Sequence, residues 1–379
     1  MSYTRRMIIA IDIREAAEQK SGKSRYTYNV VMAMIMENQD VSFVLYARET
    51  NKDFCSFKNV ECVNIHKRGM FWHSAVVRDW KKRVTEGNKD SAYNKFAFFA
   101  PTSFIIPFLL PKELTSVVTV HDLIAFKEKT HQKKAALIEK VFAGRALRKA
   151  AQVLTPSLNT AHDLAMIFPY TKDKISITPL GVDSTLFADT EENSTKTKPD
   201  NREKIILTVG GLEPRKNIST LVDAFLTLPN EFNDYTLQII GGNGWNSQKL
   251  LNKIASHSNR ISHLQTVKSE DLPNYYRTAT IFVFPSLYEG FGLPPLEAMA
   301  CSTPVACSNS SSLPEVCGVC ALLFKTQSVS DIREKIIMLL KDKEMRDSLS
   351  ATGLEHAKKF TWKKCAALTM ESIKAASKQ

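Results

Sequence analysis

Residues 281–316 (IFVFPSLYEGFGLPPLEAMACSTPVACSNSSSLPEV) restrict the fold more than any other stretch. The run Ile281–Phe284 has no polar face, the pattern of a parallel strand covered on both sides. Pro285 ends it, and Ser286 to Gly292 form a loop holding two glycines. Pro294 and Pro295 suit the first turn of a helix, where a missing N–H costs nothing. Thr303 and Pro304 stop that helix, and Val305 to Cys307 read as the next strand. Two parallel strands joined through a helix commit the chain to an α/β sheet. Glu289 then lies in the loop at the mouth of a strand, and Glu297 near the start of the helix.

This arrangement suits a polyhydroxylated ligand with an anionic centre. The N–H groups of Gly290, Phe291 and Gly292 can approach ligand oxygens closely where glycine leaves no Cβ in the way. The N-terminus of the following helix, at Leu293, favours phosphate. Carboxylates accept hydrogen bonds from sugar hydroxyls. Plainer roles also fit: a solvated loop glutamate, and a helix glutamate at its favourable dipole end.

The rest of the chain repeats the alternation. Strands are expected at Met7–Ile13, Val41–Tyr46, Val60–Ile65, Ala97–Pro101, Ser116–His121, Val153–Thr155 and Lys174–Thr178. Helices over Tyr26–Glu37, Phe71–Val84, Lys133–Ala151 and Asn159–Phe168 separate several of them. Ala188 to Glu203 holds no large apolar residue and reads as a linker. Beyond it the pattern restarts with strands at Ile205–Val209, Tyr235–Ile240 and Ile261–Leu264. Helices at Ser330–Leu340, Glu344–Lys359 and Trp362–Ala376 close the chain. A length of 379 residues suits two domains. The expected boundaries are 1–187, a linker over 188–203, 204–360, and a final helix over 361–379.

The polar, glycine-bearing loops all follow expected strands: Gly22, His121-Asp122, Gly210-Gly211, Gly241-Gly242 and Glu289. Ligands of open α/β sheets bind at those strand ends. In Gly210-Gly-Leu-Glu-Pro-Arg215-Lys216-Asn217 a guanidinium fork and a point charge stand together, a pairing that fits a diphosphate as well as a solvated turn. Lys20-Ser-Gly-Lys-Ser24 resembles a Walker A loop poorly, because Ala17 stands where that motif needs glycine. Cys317-Gly-Val-Cys320 has no second pair and no histidine cluster, so zinc is not expected.

Glu289-Gly-Phe-Gly-Leu-Pro-Pro-Leu-Glu297 resembles the E-x7-E signature of the retaining nucleotide-sugar glycosyltransferases of family 4. Pro285-Ser286, Thr303-Pro304-Val305 and Ser312-Leu-Pro-Glu-Val316 extend the likeness, as does the Arg215-Lys216-Asn217 segment. The resemblance implies a GT-B fold, two Rossmann-like domains facing across a cleft. It implies transfer of a hexose, best matched by mannose from GDP-mannose, onto a glycan hydroxyl. O-antigen or other surface polysaccharide on undecaprenyl pyrophosphate is the expected acceptor. It assigns Arg215 and Lys216 to the donor diphosphate, Glu289 to the sugar, Glu297 to the ribose and His121 to sugar hydroxyls. Gly22, Gly211, Gly290, Phe291, Gly292 and Leu293 complete the donor contacts, and Asp122 is expected to orient His121. Ser24 replaces a family glycine, and Ser302 stands where a left-handed helix cap usually carries glycine. A UDP-sugar transferase and a nucleotide-sugar epimerase are the enzyme alternatives, and a non-catalytic basic binding protein the remaining one.

Charge and cysteines bound the setting. The net charge of +12 is concentrated early: residues 1–187 carry 28 Lys/Arg against 18 Asp/Glu. Such a half attracts nucleic acid, an anionic membrane or a pyrophosphate-linked acceptor. Aromatic platforms for nucleic acid are missing, so that partner is not expected. No apolar run is long enough for a membrane helix. Seven scattered cysteines suggest buried, reduced thiols in a cytoplasmic protein. Residues 67–84 crowd basic groups beside aromatics, making Trp72, Trp80, Lys81, Lys82 and Arg83 candidates for docking on the inner membrane; packing of the apolar stripe on the sheet is the competing reading. No paired carboxylates present a metal site, so no metal or other cofactor is expected. Other polysaccharide-assembly enzymes are candidate partners.

Overall fold

The computed structural model describes residues 6–17, 22–49, 51–87, 93–126, 133–187 and 202–378. The chain divides into two compact units, residues 1–181 with 362–379, and residues 182–361. The division falls at Gly181/Val182, ahead of the expected linker, and residues 188–201 of that linker lie outside the described residues.

The first unit is built on a seven-stranded sheet. Its strands are β1 (Arg6–Asp12), β2 (Ser42–Ala47), β3 (Val60–Asn64), β4 (Tyr93–Ala100), β5 (Ser116–Thr119), β6 (Gln152–Thr155) and β7 (Ile175–Ile177). They run parallel in the order β3-β2-β1-β4-β5-β6-β7. The chain moves from β1 outward to β3, then crosses back to β4 on the other side of β1. Parallel neighbours require such crossovers, and helices supply them.

Helix Gly69–Gly87 shows how the sheet acquires its cover. Trp72, Val76, Trp80 and Val84 recur every fourth residue, and all four are buried with Tyr46 and Phe98. A spacing of four keeps side chains on one face of a helix. This corrects the docking assignment of Trp72 and Trp80, which are 0% and 1% exposed and belong to the core. Arg83 is likewise engaged, at 2.7 Å from Glu61 and 2.6 Å from Asp79. Lys81 and Lys82 are exposed, and so are Met70 and Phe71 at the start of the helix.

The last helix, Trp362–Ala376, belongs to the first unit. It packs on helix Gly22–Glu37, burying Cys365, Ala366, Met370 and Ile373, with Trp362 6.2 Å from Tyr26. Lys363 pairs with Glu37 at 3.0 Å. Gly22 begins the partner helix, four residues earlier than the sequence pattern indicates.

The second unit carries β8 (Glu203–Val209), β9 (Thr236–Ile240), β10 (Ile261–Leu264), β11 (Ala279–Phe284), β12 (Val305–Ser308) and β13 (Leu322–Phe324). They too are all parallel, in the order β10-β9-β8-β11-β12-β13. Every residue of β11 is buried, as its unbroken apolar run requires. Ile206, Leu237, Ile239, Ile281 and Val283 form the sheet side of a core closed by Ile218–Leu226 and Val329–Lys341.

The cysteines depart from the expectation of seven thiols. Cys55 and Cys62 are joined in a disulfide between a short helix (Lys52–Cys55) and β3, while Cys301, Cys307, Cys317, Cys320 and Cys365 are buried thiols. A separation of seven residues carries no signal of pairing by itself; the helix turning directly back into a strand brings the two together.

Candidate active site

The sheet order of the second unit fixes where a ligand crevice opens. β8 lies between β9 and β11, and the chain leaves β8 toward β9 and β10 before returning to β11. β8 and β11 therefore flank a topological switch point, and the loops after them diverge beyond their carboxyl ends. Those loops are Gly210–Asn217 and Pro285–Gly292.

Backbone and side-chain hydrogen bonds stitch the two loops together. Leu287 N–H donates to the Arg215 carbonyl at 2.7 Å, and Ser286 Oγ reaches the same oxygen at 3.2 Å. Asn217 adopts a left-handed conformation (φ 55°) between the turn Pro214–Lys216 and helix Ile218–Leu226. Asparagine tolerates that region better than other side-chain-bearing residues. Its amide donates to the carbonyls of Pro285 (3.2 Å) and Thr326 (2.7 Å), tying the turn to both β11 and β13. Gly241, at φ 151°, closes the other side. A Cβ there would collide with the backbone of Gly210, so only glycine lets the ends of β8 and β9 approach this closely.

Three of the expected residues meet in this frame. Lys216 Nζ lies 2.6 Å from Glu289 Oε1, and Arg215 Nη1 lies 3.3 Å from both Glu289 oxygens. Ser286 Oγ donates to Glu289 Oε1 at 2.6 Å, and Arg215 Nε reaches Glu213 at 2.9 Å. Burial alone would raise the Glu289 pKa; the charges of Lys216 and Arg215 and the hydrogen bonds from Lys216 and Ser286 outweigh it and hold the carboxyl below its usual range. The Lys216 pKa is also lowered, chiefly by burial and then by Arg215, against the pull of Glu289. Glu289 is thus ionised and occupied by both cations.

Gly290, Phe291, Gly292 and Leu293 lead into helix Leu293–Ala300, whose first turn holds Pro294 and Pro295. Gly292 has φ 120°, and a Cβ there would stand 2.6 Å from Leu313 Cδ2. Ser312 Oγ is 3.0 Å from the Glu289 carbonyl and 2.6 Å from that of Phe291, and Ser311 Oγ accepts from Glu289 N–H at 2.9 Å. The serine run after β12 thereby braces the loop, a role that no local pattern of residues signals. Glu297 is buried and accepts from Tyr276 Oη at 2.9 Å. Gly211 lies under Gly242, whose carbonyl accepts from Leu212 N–H at 3.0 Å.

His121 and Gly22 belong to the first unit. His121 Nε2 donates to the Pro101 carbonyl at 2.8 Å, which leaves Nδ1 as an acceptor in the neutral ring. Burial and then the charge of Lys23 push its pKa down to about 4. Tyr26 packs edge-on against the ring at 4.5 Å. Asp122 does not hold His121: its Oδ1 accepts from Ile124 N–H at 3.0 Å, capping the next turn. No cluster of three or more metal-ligating side chains occurs among the described residues.

Comparison with known proteins bears on the family and the fold. The family model described as "Glycosyl transferases group 1" matches residues 189–356, the segment that carries both loops. O-antigen chain mannosyltransferase B of Escherichia coli is 33% identical over 317 residues, covering 82% of this chain and 78% of that one. The serotype-specific mannosyltransferase WbdA of Escherichia coli is 36% identical over 185 residues, 48% of this chain but 23% of its own length. A sucrose-phosphate synthase from Thermosynechococcus elongatus superposes with a TM-score of 0.72 at 18% identity, over 96% of this chain and 98% of that one, a likeness of fold. With paired Rossmann-like units of the GT-B type and a cationic, glutamate-bearing crevice at the second unit's switch point, the chain belongs to the group 1 glycosyltransferases.

Proposed function

We propose that the chain transfers mannose from GDP-mannose, with retention of configuration, to a hydroxyl of a lipid-linked surface polysaccharide such as O-antigen. The observation that carries the reading is the Arg215–Lys216–Glu289 cluster, together with the similarity to an O-antigen mannosyltransferase over most of both chains. In this reading the donor diphosphate takes the place of the Glu289 carboxylate on Arg215 and Lys216. The displaced carboxylate then accepts hydrogen bonds from the mannose hydroxyls, and Glu297, steadied by Tyr276, accepts from the ribose. Fixed cations aimed at the leaving diphosphate stabilise charge as it develops. Neutral His121 is the hydroxyl-binding candidate of the first unit.

The acceptor, carried on undecaprenyl pyrophosphate, places the work at the cytoplasmic face of the inner membrane. Exposed Met70 and Phe71, beside Lys67 and Arg68, replace the buried tryptophans as the docking element. No helix among the described residues is long and apolar enough to cross a membrane.

Thermal-shift titration with GDP-, UDP- and dTDP-sugars, followed by transfer assays with radiolabelled donor, tests the donor assignment. The expected result is preferential stabilisation by GDP-mannose and mannosyl transfer that persists in EDTA. Transfer from a UDP-sugar but not from GDP-mannose would overturn the donor, and loss in EDTA restored by Mg²⁺ or Mn²⁺ would overturn the metal-independent role of Arg215 and Lys216.

A further inference from the structure

The first unit has its own switch point, between β1 and β4, and an unassigned polar cluster stands at it. Asp12 is the last residue of β1 and is 4% exposed. Arg14 grips its carboxylate from two sides, Nε to Oδ1 at 2.9 Å and Nη2 to Oδ2 at 2.6 Å. The same guanidinium lies over Trp72, 3.9 Å from the ring centroid. His73 stands edge-on to Trp72 at 5.3 Å.

Two nitrogens of this cluster are buried without a hydrogen-bond partner, Trp72 Nε1 and His73 Nε2. His73 Nδ1 donates to the Gly69 carbonyl at 2.9 Å, so Nε2 is a bare acceptor in the neutral ring. Burial, and next the charge of Arg14, lower the His73 pKa and keep that acceptor unprotonated. Trp72 Nε1 can only donate. One orphan donor and one orphan acceptor beside a carboxylate and an indole face are not satisfied by Arg14, which has no acceptor to offer.

A glycan can partner all four, with one pyranose ring for the carboxylate and the indole face and a neighbouring hydroxyl beyond the ring edge for the two nitrogens. Two adjacent hydroxyls donate into a carboxylate as the two guanidinium nitrogens do, and the apolar C–H face of the ring lies on an indole as the guanidinium does. Hydroxyls both donate and accept, which suits His73 and Trp72 together. The Arg14 side chain that makes these contacts is 20% exposed, so rotation outward would free the carboxylate and the indole face.

We propose that Asp12, Trp72 and His73 form a subsite for a neutral sugar of the acceptor glycan, occupied by the Arg14 side chain when no glycan is bound. The subsite rests on the transferase reading for the glycan's role, but not for its binding. Hydroxyls on Asp12 and His73 would fix which hydroxyl of the acceptor is presented.

The test is a titration of the full chain with mannotriose and, separately, maltotriose, followed by isothermal titration calorimetry, alongside steady-state kinetics. At least one trisaccharide is expected to produce a saturable change. Trp72→Phe, which keeps only a smaller aromatic face and removes the donor, and Asp12→Asn are each expected to raise the trisaccharide Kd and acceptor KM at least tenfold, with donor KM within twofold. Arg14→Ala is expected to tighten trisaccharide binding at least twofold. No saturable change with either sugar overturns the proposal, as does unchanged binding in a folded Trp72→Phe variant. Weakening by Arg14→Ala would overturn the exchange and make Arg14 a strut of the fold. If nucleotide sugars support no transfer while the trisaccharide still binds, the transferase reading fails and the subsite stands.

Discussion

Replacing Glu289 by glutamine removes one negative charge from between two cations without changing the side chain's shape. Glu289 and Lys216 are 12% and 13% exposed, so the pair sits largely out of water. Breaking a buried pair by neutralising one partner costs about 3–5 kcal/mol, because the other charge is left uncompensated. Arg215 keeps Glu213 and is more exposed, so only Lys216 is stranded, and the lower end, about 3 kcal/mol, applies. A unit of this size loses roughly 2–4 °C in Tm per kcal/mol, giving a fall of about 6–12 °C. GDP supplies the missing negative charge without having to displace a carboxylate. Its stabilisation of Glu289→Gln should therefore exceed its stabilisation of the wild-type protein, while mannosyl transfer falls. Differential scanning fluorimetry with and without GDP reads both effects. A variant melting within about 2 °C of wild type would refute the buried-pair reasoning. A GDP shift no larger than the wild type's would refute the exchange of carboxylate for diphosphate.

Three further outcomes are expected. Acid should remove the Glu289 contribution: its folded pKa lies below the ordinary 4.5, so the stabilisation is complete above that value and fades as pH falls through the lowered one. The Tm gap between wild type and Glu289→Gln should accordingly close on acidification, and a gap that widens would contradict the sign. Tyr276→Phe leaves Glu297 without its hydroxyl donor at 2.9 Å, which should cost about 1–3 kcal/mol in urea unfolding and raise donor KM; unchanged values in both assays would remove Tyr276 from the ribose site. Ser302 holds φ 57° at the end of helix Leu293–Ala300, so Ser302→Gly should stabilise by about 0.5–1 kcal/mol, and a lower urea midpoint would show that the serine side chain is needed there.

The elements and loops of the donor side were legible because each rests on a local pattern. The apolar run of β11, the prolines after it and the glycines between them describe a strand, a loop and a helix within fifteen residues. The pairing of Glu289 with Lys216 was not legible, since it depends on β8 and β11 becoming neighbours across 73 positions. Trp72 and Trp80 illustrate a different limit. Their spacing of eight, with Val76 midway, marks one helix face, but an aromatic face suits a sheet and a membrane equally. Only the opposing residues Tyr46 and Phe98 decide between them. Asp12, Arg14 and Trp72 likewise acquire meaning only when a crossover of some sixty residues brings the helix back over β1.

The return of helix Trp362–Ala376 to the first unit has a consequence for the order in which the chain is made. The surface of helix Gly22–Glu37 that receives Cys365, Met370 and Ile373 stays bare until the ribosome has passed residue 376. The whole of residues 182–361 has been synthesised by then, ahead of the segment that completes the first unit. Domains ordinarily mature from the N-terminal end during synthesis. Here the unit begun first is the one finished last, and it waits through the full synthesis of its neighbour with an apolar seam uncovered. Chains truncated before Trp362 and released from the ribosome should therefore resist protease within residues 202–361 while remaining open to cleavage near Gly22–Glu37.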